Sequence, residues 1–108
     1  QFTKYTKGQY YGWHADGFVE PFQKEGPLKG KIRKLSMGVS LSAPEDYKGG
    51  ELEFDFSTSD KKNVQMCPSM RYQGSVVVFP SFVQHRIKPV TQGTRYSLVS
   101  WHCGDVFI

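Results

Sequence analysis

Residues 35–42 read LSMGVSLS, so large apolar side chains alternate strictly with serine or glycine. Because successive side chains of a β-strand point to opposite faces, this spacing predicts a strand with one packed face. Residues 51–56 (ELEFDF) repeat the alternation with acidic residues on the other face. Residues 75–79 (SVVVF) form a continuous apolar run, which is typical of a strand buried on both faces.

The rest of the sequence also favours short strands over helices. No long window places apolar residues at helical spacing, so helix is expected to be at most a turn or two. Further strands are predicted at residues 1–5, 10–16, 86–90 and 94–101. Polar connections are expected at 44–50 and 57–63, and a turn at Thr91–Gly93. Short strands separated by Gly and Pro predict an all-β barrel or double sheet, of which the cupin-like jelly roll best hosts a metal in its mouth.

Length and composition limit the class of protein. With 108 residues, the chain is expected to form one domain over residues 1–108. It has two cysteines, Cys67 and Cys103, too few for a disulfide framework, so a reducing, cytoplasmic location is expected. No run of about 20 apolar residues and no leader are present, so membrane insertion is not expected. The net charge of +4 mildly favours acidic partners.

Much of the positive charge lies in one Gly- and Pro-containing segment. Its basic residues are Lys24, Lys29, Lys31, Arg33 and Lys34. This composition predicts a mobile basic loop. Two interpretations are open, a solvated connection or a lid over residues 18–34 that closes on an anionic or peptide substrate.

Three residues carry a metal-binding pattern. His14 and Asp16 lie two positions apart, so on a strand both side chains project from the same face. His85 follows the apolar run at 75–79. Two imidazoles and one carboxylate form the facial triad that binds non-haem Fe(II) and leaves coordination positions open. The same donor set also suits catalytic zinc.

Arg95 follows the second histidine beyond a turn. A 2-oxoacid bound to the metal through its carboxylate and keto oxygens needs a cation for its distal carboxylate. Arginine stays charged when buried and can bind a carboxylate with two parallel hydrogen bonds. Arg95 shares a strand face with Ser97, Val99 and Trp101, and that face is too apolar to be solvated throughout. We therefore predict that Arg95 holds the oxoacid; the alternative is a surface arginine.

In combination these motifs resemble a known family over nearly the whole chain. They are YxxGxxYxxHxD at 5–16, GGELEF at 49–54, GSVVVF at 74–79 running to His85, and the segment from Arg95 onward. Together they resemble the prolyl 4-hydroxylase-like 2-oxoglutarate oxygenases. YGWHAD at 11–16 is similar to the bacterial and phage PKHD-type hydroxylases. The resemblance implies a double-stranded β-helix that uses Fe(II), 2-oxoglutarate and O2, and it leaves a requirement for ascorbate open.

The resemblance also implies roles for further residues. Tyr5 would donate its hydroxyl to 2-oxoglutarate, Tyr11 and Trp101 would wall the groove that accepts the target, and Arg33 would contact the substrate. Two aromatic walls beside a metal suit a flat, apolar proline ring. The implied reaction is hydroxylation of an unactivated C–H bond, on a prolyl residue of a peptide or protein, with decarboxylation of 2-oxoglutarate to succinate and CO2.

The sequence departs from the family pattern in two respects. Arg95 stands where collagen-type prolyl hydroxylases commonly have lysine, and the helices that usually buttress the barrel on its N-terminal side are absent. A free amino acid, another protein side chain or a nucleic-acid base remain alternative targets. Nucleic-acid dealkylases carry a second arginine where this chain has Trp101, so nucleic acid is not expected. Outside the oxygenases, the alternatives are a cupin-like binding module and a zinc hydrolase, and neither accounts for Arg95.

Overall fold

The computed structural model describes residues 1–17, 23 and 25–106. In this part of the chain the regular structure is ten strands and two short 3-10 turns, so the all-β prediction is confirmed. The strands are β1 (Phe2–Tyr5), β2 (Tyr11–His14), β3 (Lys31–Ser40), β4 (Tyr47–Gly49), β5 (Leu52–Asp55), β6 (Val64–Met66), β7 (Val76–Pro80), β8 (Gln84–Ile87), β9 (Val90–Gly93) and β10 (Arg95–Asp105). The 3-10 turns are Pro44–Asp46 and Pro68–Arg71. No helix among the described residues has the length and apolarity needed to cross a bilayer.

Two antiparallel four-stranded sheets form the body of the molecule. The major sheet has the order β1-β10-β3-β7 and the minor sheet the order β2-β8-β5-β6, while β4 and β9 make a separate pair. The chain passes repeatedly from one sheet to the other, since β1, β3, β7 and β10 belong to the major sheet and β2, β5 and β8 to the minor sheet. This is the double-stranded β-helix, or jelly roll, that the sequence predicted.

The apolar core lies between the sheets. Leu52, Phe54 and Met70 are buried together, and Val77 and Phe79 pack against them. The rings of Phe54 and Phe79, which come from opposite sheets, lie 4.9 Å apart in an edge-to-face arrangement, a favoured geometry for buried aromatic pairs. These contacts fasten β7 of the major sheet to β5 of the minor sheet.

Residues 35–40 of the predicted strand 35–42 lie in β3, whereas residues 41 and 42 follow its end. The interior face of this segment carries the small side chains. Ser36 and Ser40 are buried, whereas Leu35 is 43% exposed. Small residues on the inner face leave space between the sheets, and Leu35 of the same strand points outward. The space is the cavity described below.

The outer face of the major sheet carries a row of apolar side chains. Strand register places Phe2, Leu98, Val39 and Val76 in one row across β1, β10, β3 and β7. Val76 and Val78 are both more than half exposed, while Val77 and Phe79 pack inward. The prediction that residues 75–79 are buried on both faces is therefore wrong, because only one face of β7 meets the core.

Three local predictions also differ from the structure. The connection predicted at 44–50 contains β4, and the turn predicted at Thr91–Gly93 lies in β9, because these two segments pair with each other. Residues 31–34, predicted as mobile loop, lie in β3 and pair with the end of β10. Of the predicted lid at 18–34, residues 18–22 and Lys24 lie outside the described residues, and residues 25–30 form bends and turns.

Gly93 is expected to be a stability determinant because two backbones meet there. Its φ is +76°, and a Cβ added to it would lie 2.1 Å from the backbone oxygen of Asp46. Gly74 has a similar φ of +85° but nothing within 4 Å of an added Cβ. We expect Gly74→Ala to cost only the roughly 1–2 kcal/mol of a left-handed conformation, and Gly93→Ala to cost clearly more. Urea denaturation of both variants measures this, and equal losses would contradict the close approach.

Candidate active site

A cavity of about 200 Å³ lies between the two sheets. Its wall contains all eight residues for which the sequence predicted site roles. They are Tyr5, Tyr11, His14, Asp16, Arg33, His85, Arg95 and Trp101. The fold thus brings residues from the first and last strands of the chain to one place.

His14, Asp16 and His85 form a cluster at this cavity. One ligand atom of each residue lies within 4.8 Å of those of the other two. Asp16 Oδ1 is 3.2 Å from His14 Nε2 and 3.4 Å from His85 Nε2. The two histidines face each other across the β2–β8 pair. Asp16 lies in a bend beyond β2 rather than in the strand predicted at 10–16, yet its carboxylate reaches both rings.

Backbone carbonyls orient both imidazole rings. His14 Nδ1 is 2.7 Å from the carbonyl oxygen of Gly12, and His85 Nδ1 is 2.9 Å from that of Val83. Because a carbonyl only accepts, each neutral ring carries its hydrogen on Nδ1 and turns the lone pair of Nε2 toward Asp16. Two imidazole lone pairs and one carboxylate oxygen converge, and this donor set fits Fe(II).

The second oxygen of Asp16 is held by two donors. Ser36 Oγ donates to Oδ2 at 2.7 Å, and Trp101 Nε1 donates to the same atom at 3.1 Å. Burial alone would raise the pKa of Asp16, but the neighbouring His85 and the hydrogen bonds from Ser36 and Trp101 outweigh it and hold that pKa well below its usual value. Asp16 is therefore a charged ligand candidate with Oδ1 facing the histidines.

Arg95 is a buried cation on the cavity wall. Its side chain is 4% exposed, Nη1 donates to Ser97 Oγ at 3.3 Å, and Nε has no hydrogen-bond partner. Burial lowers the pKa of Arg95, and the neighbouring Tyr47 and Tyr5 oppose that shift. In the described part of the chain Arg95 forms no ion pair with a carboxylate. Because a buried guanidinium of this kind needs an anion, a carboxylate ligand fits the cavity.

Tyr5 lies beside this arginine. The Arg95 Cζ atom is 5.9 Å from the centroid of the Tyr5 ring. Burial raises the pKa of the Tyr5 hydroxyl, although the positive charge of Arg95 opposes the shift. The hydroxyl is therefore protonated near neutral pH and can donate a hydrogen bond into the cavity.

Three further residues on the cavity wall surround the metal donors with rings and charge. Tyr11 is half exposed, and its ring centroid is 3.8 Å from that of His14. The guanidinium of Arg33 lies 3.9 Å from the centroid of the Trp101 ring. Trp101 thus contacts Arg33 with its ring face and Asp16 with its indole N–H.

The sequence interpretation missed the serines that support this site. Ser36 and Ser81 are completely buried next to Asp16, and Ser97 receives the bond from Arg95. The signal was present in the alternation at 35–42, where serines occupy one face of a strand. The sequence analysis interpreted this alternation as packing only, because a serine in a strand indicates a functional role only when its neighbours in the fold are known.

Residues 1–103 match the family model described as the 2OG-Fe(II) oxygenase superfamily. The chain belongs to this superfamily. The predicted cofactor and cosubstrates, Fe(II), 2-oxoglutarate and O2, are those of the family.

PKHD-type hydroxylases are among the similar curated proteins, as the resemblance predicted. Those of Synechococcus sp. (strain JA-2-3B'a(2-13)) and Stenotrophomonas maltophilia (strain R551-3) are each 35% identical to the chain, over 97 and 101 residues. The matches cover 90% and 94% of the chain but only 39% and 41% of the relatives. The chain therefore spans about two fifths of the length of these relatives.

Solved structures confirm the jelly-roll fold. A prolyl-4-hydroxylase of Pseudomonas putida superposes with a TM-score of 0.62 at 24% identity, covering 94% of the chain and 49% of that structure. The viral collagen prolyl hydroxylase of Paramecium Bursaria Chlorella virus-1, in complex with 2OG, gives a TM-score of 0.53 at 25% identity, covering 98% and 57%.

The lowered pKa of Asp16 makes stability depend on acid pH. A folded-state pKa below the unfolded value of about 3.9 means that the charged carboxylate stabilises the fold above that pH and that this contribution is lost as pH falls below it. We expect the unfolding free energy of the metal-free chain to fall more steeply in acid than that of Asp16→Asn. Urea denaturation in the presence of EDTA, at pH values above and below that unfolded-state pKa, measures how steeply the unfolding free energy of each chain falls with pH.

Asp60→Asn, a change at an exposed loop position, controls for the loss of one negative charge. If the unfolding free energies of the parent chain and of Asp16→Asn fell equally steeply in acid, the folded structure would not favour the charged form of Asp16.

Proposed function

We propose that this chain, residues 1–108, is the catalytic core of an Fe(II)- and 2-oxoglutarate-dependent hydroxylase. In this proposal His14, Asp16 and His85 hold Fe(II), and Arg95 and Tyr5 bind 2-oxoglutarate. The main support is that three converging metal donors and a buried arginine without a carboxylate partner in the described chain line the same cavity. A divalent metal and a dicarboxylate together satisfy both groups.

Neighbouring groups orient each of the three metal donors. Bound Fe(II) supplies the oxidation, in which O2 and 2-oxoglutarate give succinate and CO2 while one oxygen atom enters a C–H bond of the substrate. His14 and His85 offer Nε2 because backbone carbonyls fix their rings. Asp16 offers Oδ1 because Oδ2 is already hydrogen bonded. Three protein donors leave coordination positions for the cosubstrates.

Arg95 and Tyr5 would bind the far end of the cosubstrate. The guanidinium can donate two parallel hydrogen bonds to a carboxylate, and its unpartnered Nε is available for one of them. The protonated Tyr5 hydroxyl can donate a further bond. Both groups are held by the major sheet, since Tyr5 and Arg95 are paired across β1 and β10. Positioning of this kind lowers the entropy cost of the reaction.

We further propose that the target is a prolyl residue of a peptide or protein. One structural relative is a collagen prolyl hydroxylase, and two aromatic side chains, Tyr11 and Trp101, line the cavity near the metal donors. Their faces suit a flat apolar ring. Arg33, which stacks on Trp101, carries N–H donors that suit the carbonyl groups of a peptide.

Arg95→Lys tests the cosubstrate assignment. Lysine keeps the charge but loses the two-pronged geometry, so we expect the 2-oxoglutarate concentration for half-maximal turnover to rise roughly 10- to 100-fold, with metal affinity nearly unchanged. Turnover is followed by succinate formation. Arg71→Lys is the matched control, because Arg71 binds the backbone oxygens of Tyr47 and Gly49 and does not line the cavity. An unchanged 2-oxoglutarate titration in Arg95→Lys would place the cosubstrate elsewhere.

Mass spectrometry of peptides tests the target. Proline-containing peptides and matched peptides with alanine are incubated with the chain, Fe(II), 2-oxoglutarate, O2 and ascorbate. We expect a gain of one oxygen atom only where proline is present, and no gain with Asp16→Ala, which lacks the anionic ligand. Oxygen gained by alanine peptides, by free amino acids or by oligonucleotides would reject proline as the target while retaining the oxygenase chemistry.

A further inference from the structure

A buried hydrogen-bonded cluster lies behind the metal donors. Ser36 and Ser81 both have 0% exposure. Ser36 Oγ is 2.7 Å from Asp16 Oδ2 and 2.9 Å from Ser81 Oγ. Trp101, which pairs with Ser36 across β10 and β3, reaches the same Asp16 oxygen with Nε1 at 3.1 Å. Ser36 and Trp101 thus both contact the carboxylate, and Ser81 contacts Ser36.

The directions of these hydrogen bonds follow from the groups involved. An ionised carboxylate only accepts, so Ser36 gives its single hydrogen to Asp16 Oδ2. The Ser36 oxygen can then only accept from its other neighbour, so Ser81 donates to it. The indole N–H of Trp101 is a donor without alternative. Oδ2 therefore receives two hydrogen bonds, one of them backed by a second serine.

Backbone contacts fix the position of the cluster. The N–H of Gly17 donates to the carbonyl of Ser81 at 2.7 Å, and the N–H of Ser81 donates to the carbonyl of Lys34 at 2.9 Å. A Cβ added to Gly17 would lie 3.1 Å from the backbone oxygen of Arg33, so the chain passes close to β3 directly after Asp16. The bend that carries Asp16, strand β3 and the segment after β7 are therefore tied together.

We propose that Ser36, Ser81 and Trp101 are positioning residues that make Asp16 bind metal through one oxygen only. This rests on the proposed metal site. Because Oδ2 is taken by two donors, Oδ1 is the oxygen that faces both histidines, at 3.2 and 3.4 Å. A carboxylate that bound through both oxygens would occupy one more coordination position, and that position is needed by 2-oxoglutarate or O2. The cluster keeps it open.

Arg33 contributes to this arrangement through Trp101. Its guanidinium covers the indole ring at 3.9 Å, a cation–π distance, and holds the ring in the plane that points Nε1 at Asp16. Trp101 is partly buried, whereas Ser36 is fully buried.

Co(II) titration of the metal-free chain tests the proposal, with Co(II) as a visible-absorbing probe for the Fe(II) site. The variants are Ser36→Ala, which removes one donor, and Trp101→Phe, which keeps an aromatic ring beneath Arg33 but removes the N–H. Ser40→Ala is the matched control. Ser40 lies on the same strand and the same inward face, is 1% exposed, and its Oγ has no hydrogen-bond partner.

We expect Ser36→Ala and Trp101→Phe each to weaken Co(II) binding by roughly 10- to 100-fold and to change the Co(II) absorption spectrum. Ser40→Ala should keep the parent affinity and spectrum. Because both bonds end on one oxygen, the double variant should depart from the sum of the single effects. Circular dichroism confirms folding, and Trp101→Phe decides the question if Ser36→Ala does not fold.

Parent-like Co(II) affinity and spectrum in the folded variants would overturn the positioning role. An equal loss in Ser40→Ala would do the same, because it would reveal a general effect of removing a buried hydroxyl. Two other results would overturn the metal site itself. They are failure of the parent chain to bind Co(II), and parent-like binding by Asp16→Ala.

Discussion

Burying the carboxylate of Asp16 removes it from water, and a charge in that position persists only where the protein supplies replacement donors. The protein supplies Ser36 and Trp101 on one oxygen and places two imidazoles opposite the other. Each of these groups comes from a different strand, so the location of one charge constrains β2, β3, β8 and β10 together. These four strands include two from each sheet, so the contacts of Asp16 hold the two sheets together at the site.

The space between the sheets contains both the apolar core and the cavity. Large apolar side chains lie in the core, and polar side chains lie at the cavity. Large apolar groups, Leu52, Phe54 and Met70, fill one region and fasten the sheets. On β3 and β10 the buried positions include Ser36, Ser40, Arg95 and Ser97 instead, and a cavity lies beside these strands. Cavity and core compete for the same inward positions, and a small domain has few of them. Arg95 is the extreme case, a buried cation accommodated where an apolar residue would add stability.

The sequence predicted the parts of this structure that depend on local pattern. The alternation at 35–42 identified β3, and the order of His14, Asp16, His85 and Arg95 was enough to select residues that the fold brings to one cavity. Orientation could not be predicted in the same way. An alternating strand has two faces, and which face turns inward depends on whether a core or a cavity lies there. The large residues were expected to pack, yet Leu35 faces outward and Ser36 inward.

Pairing between distant segments was equally hidden from the sequence. The sequence analysis assigned the segments of β4 and β9 to a connection and a turn, because each is short and polar. They form strands because they pair with each other. The role of Ser36 required knowing that its neighbour is Asp16, twenty positions away in the chain. The strand pattern alone predicted a barrel or double sheet, and the family resemblance implied the double-stranded β-helix.

The stacking of Arg33 on Trp101 has a thermodynamic consequence. Arg33 touches the indole ring, the indole N–H holds Asp16, and Asp16 faces His14 and His85, so the outer and inner ends of the site are joined by direct contacts. If a ligand bound at one end of this route changes the affinity at the other end, the coupling free energy is the same in both directions. Whatever an occupant at Arg33 does to the affinity for metal, the metal does by the same factor to the affinity for that occupant. In the proposed enzyme, the binding of a target at Arg33 and the binding of the metal would then be thermodynamically linked.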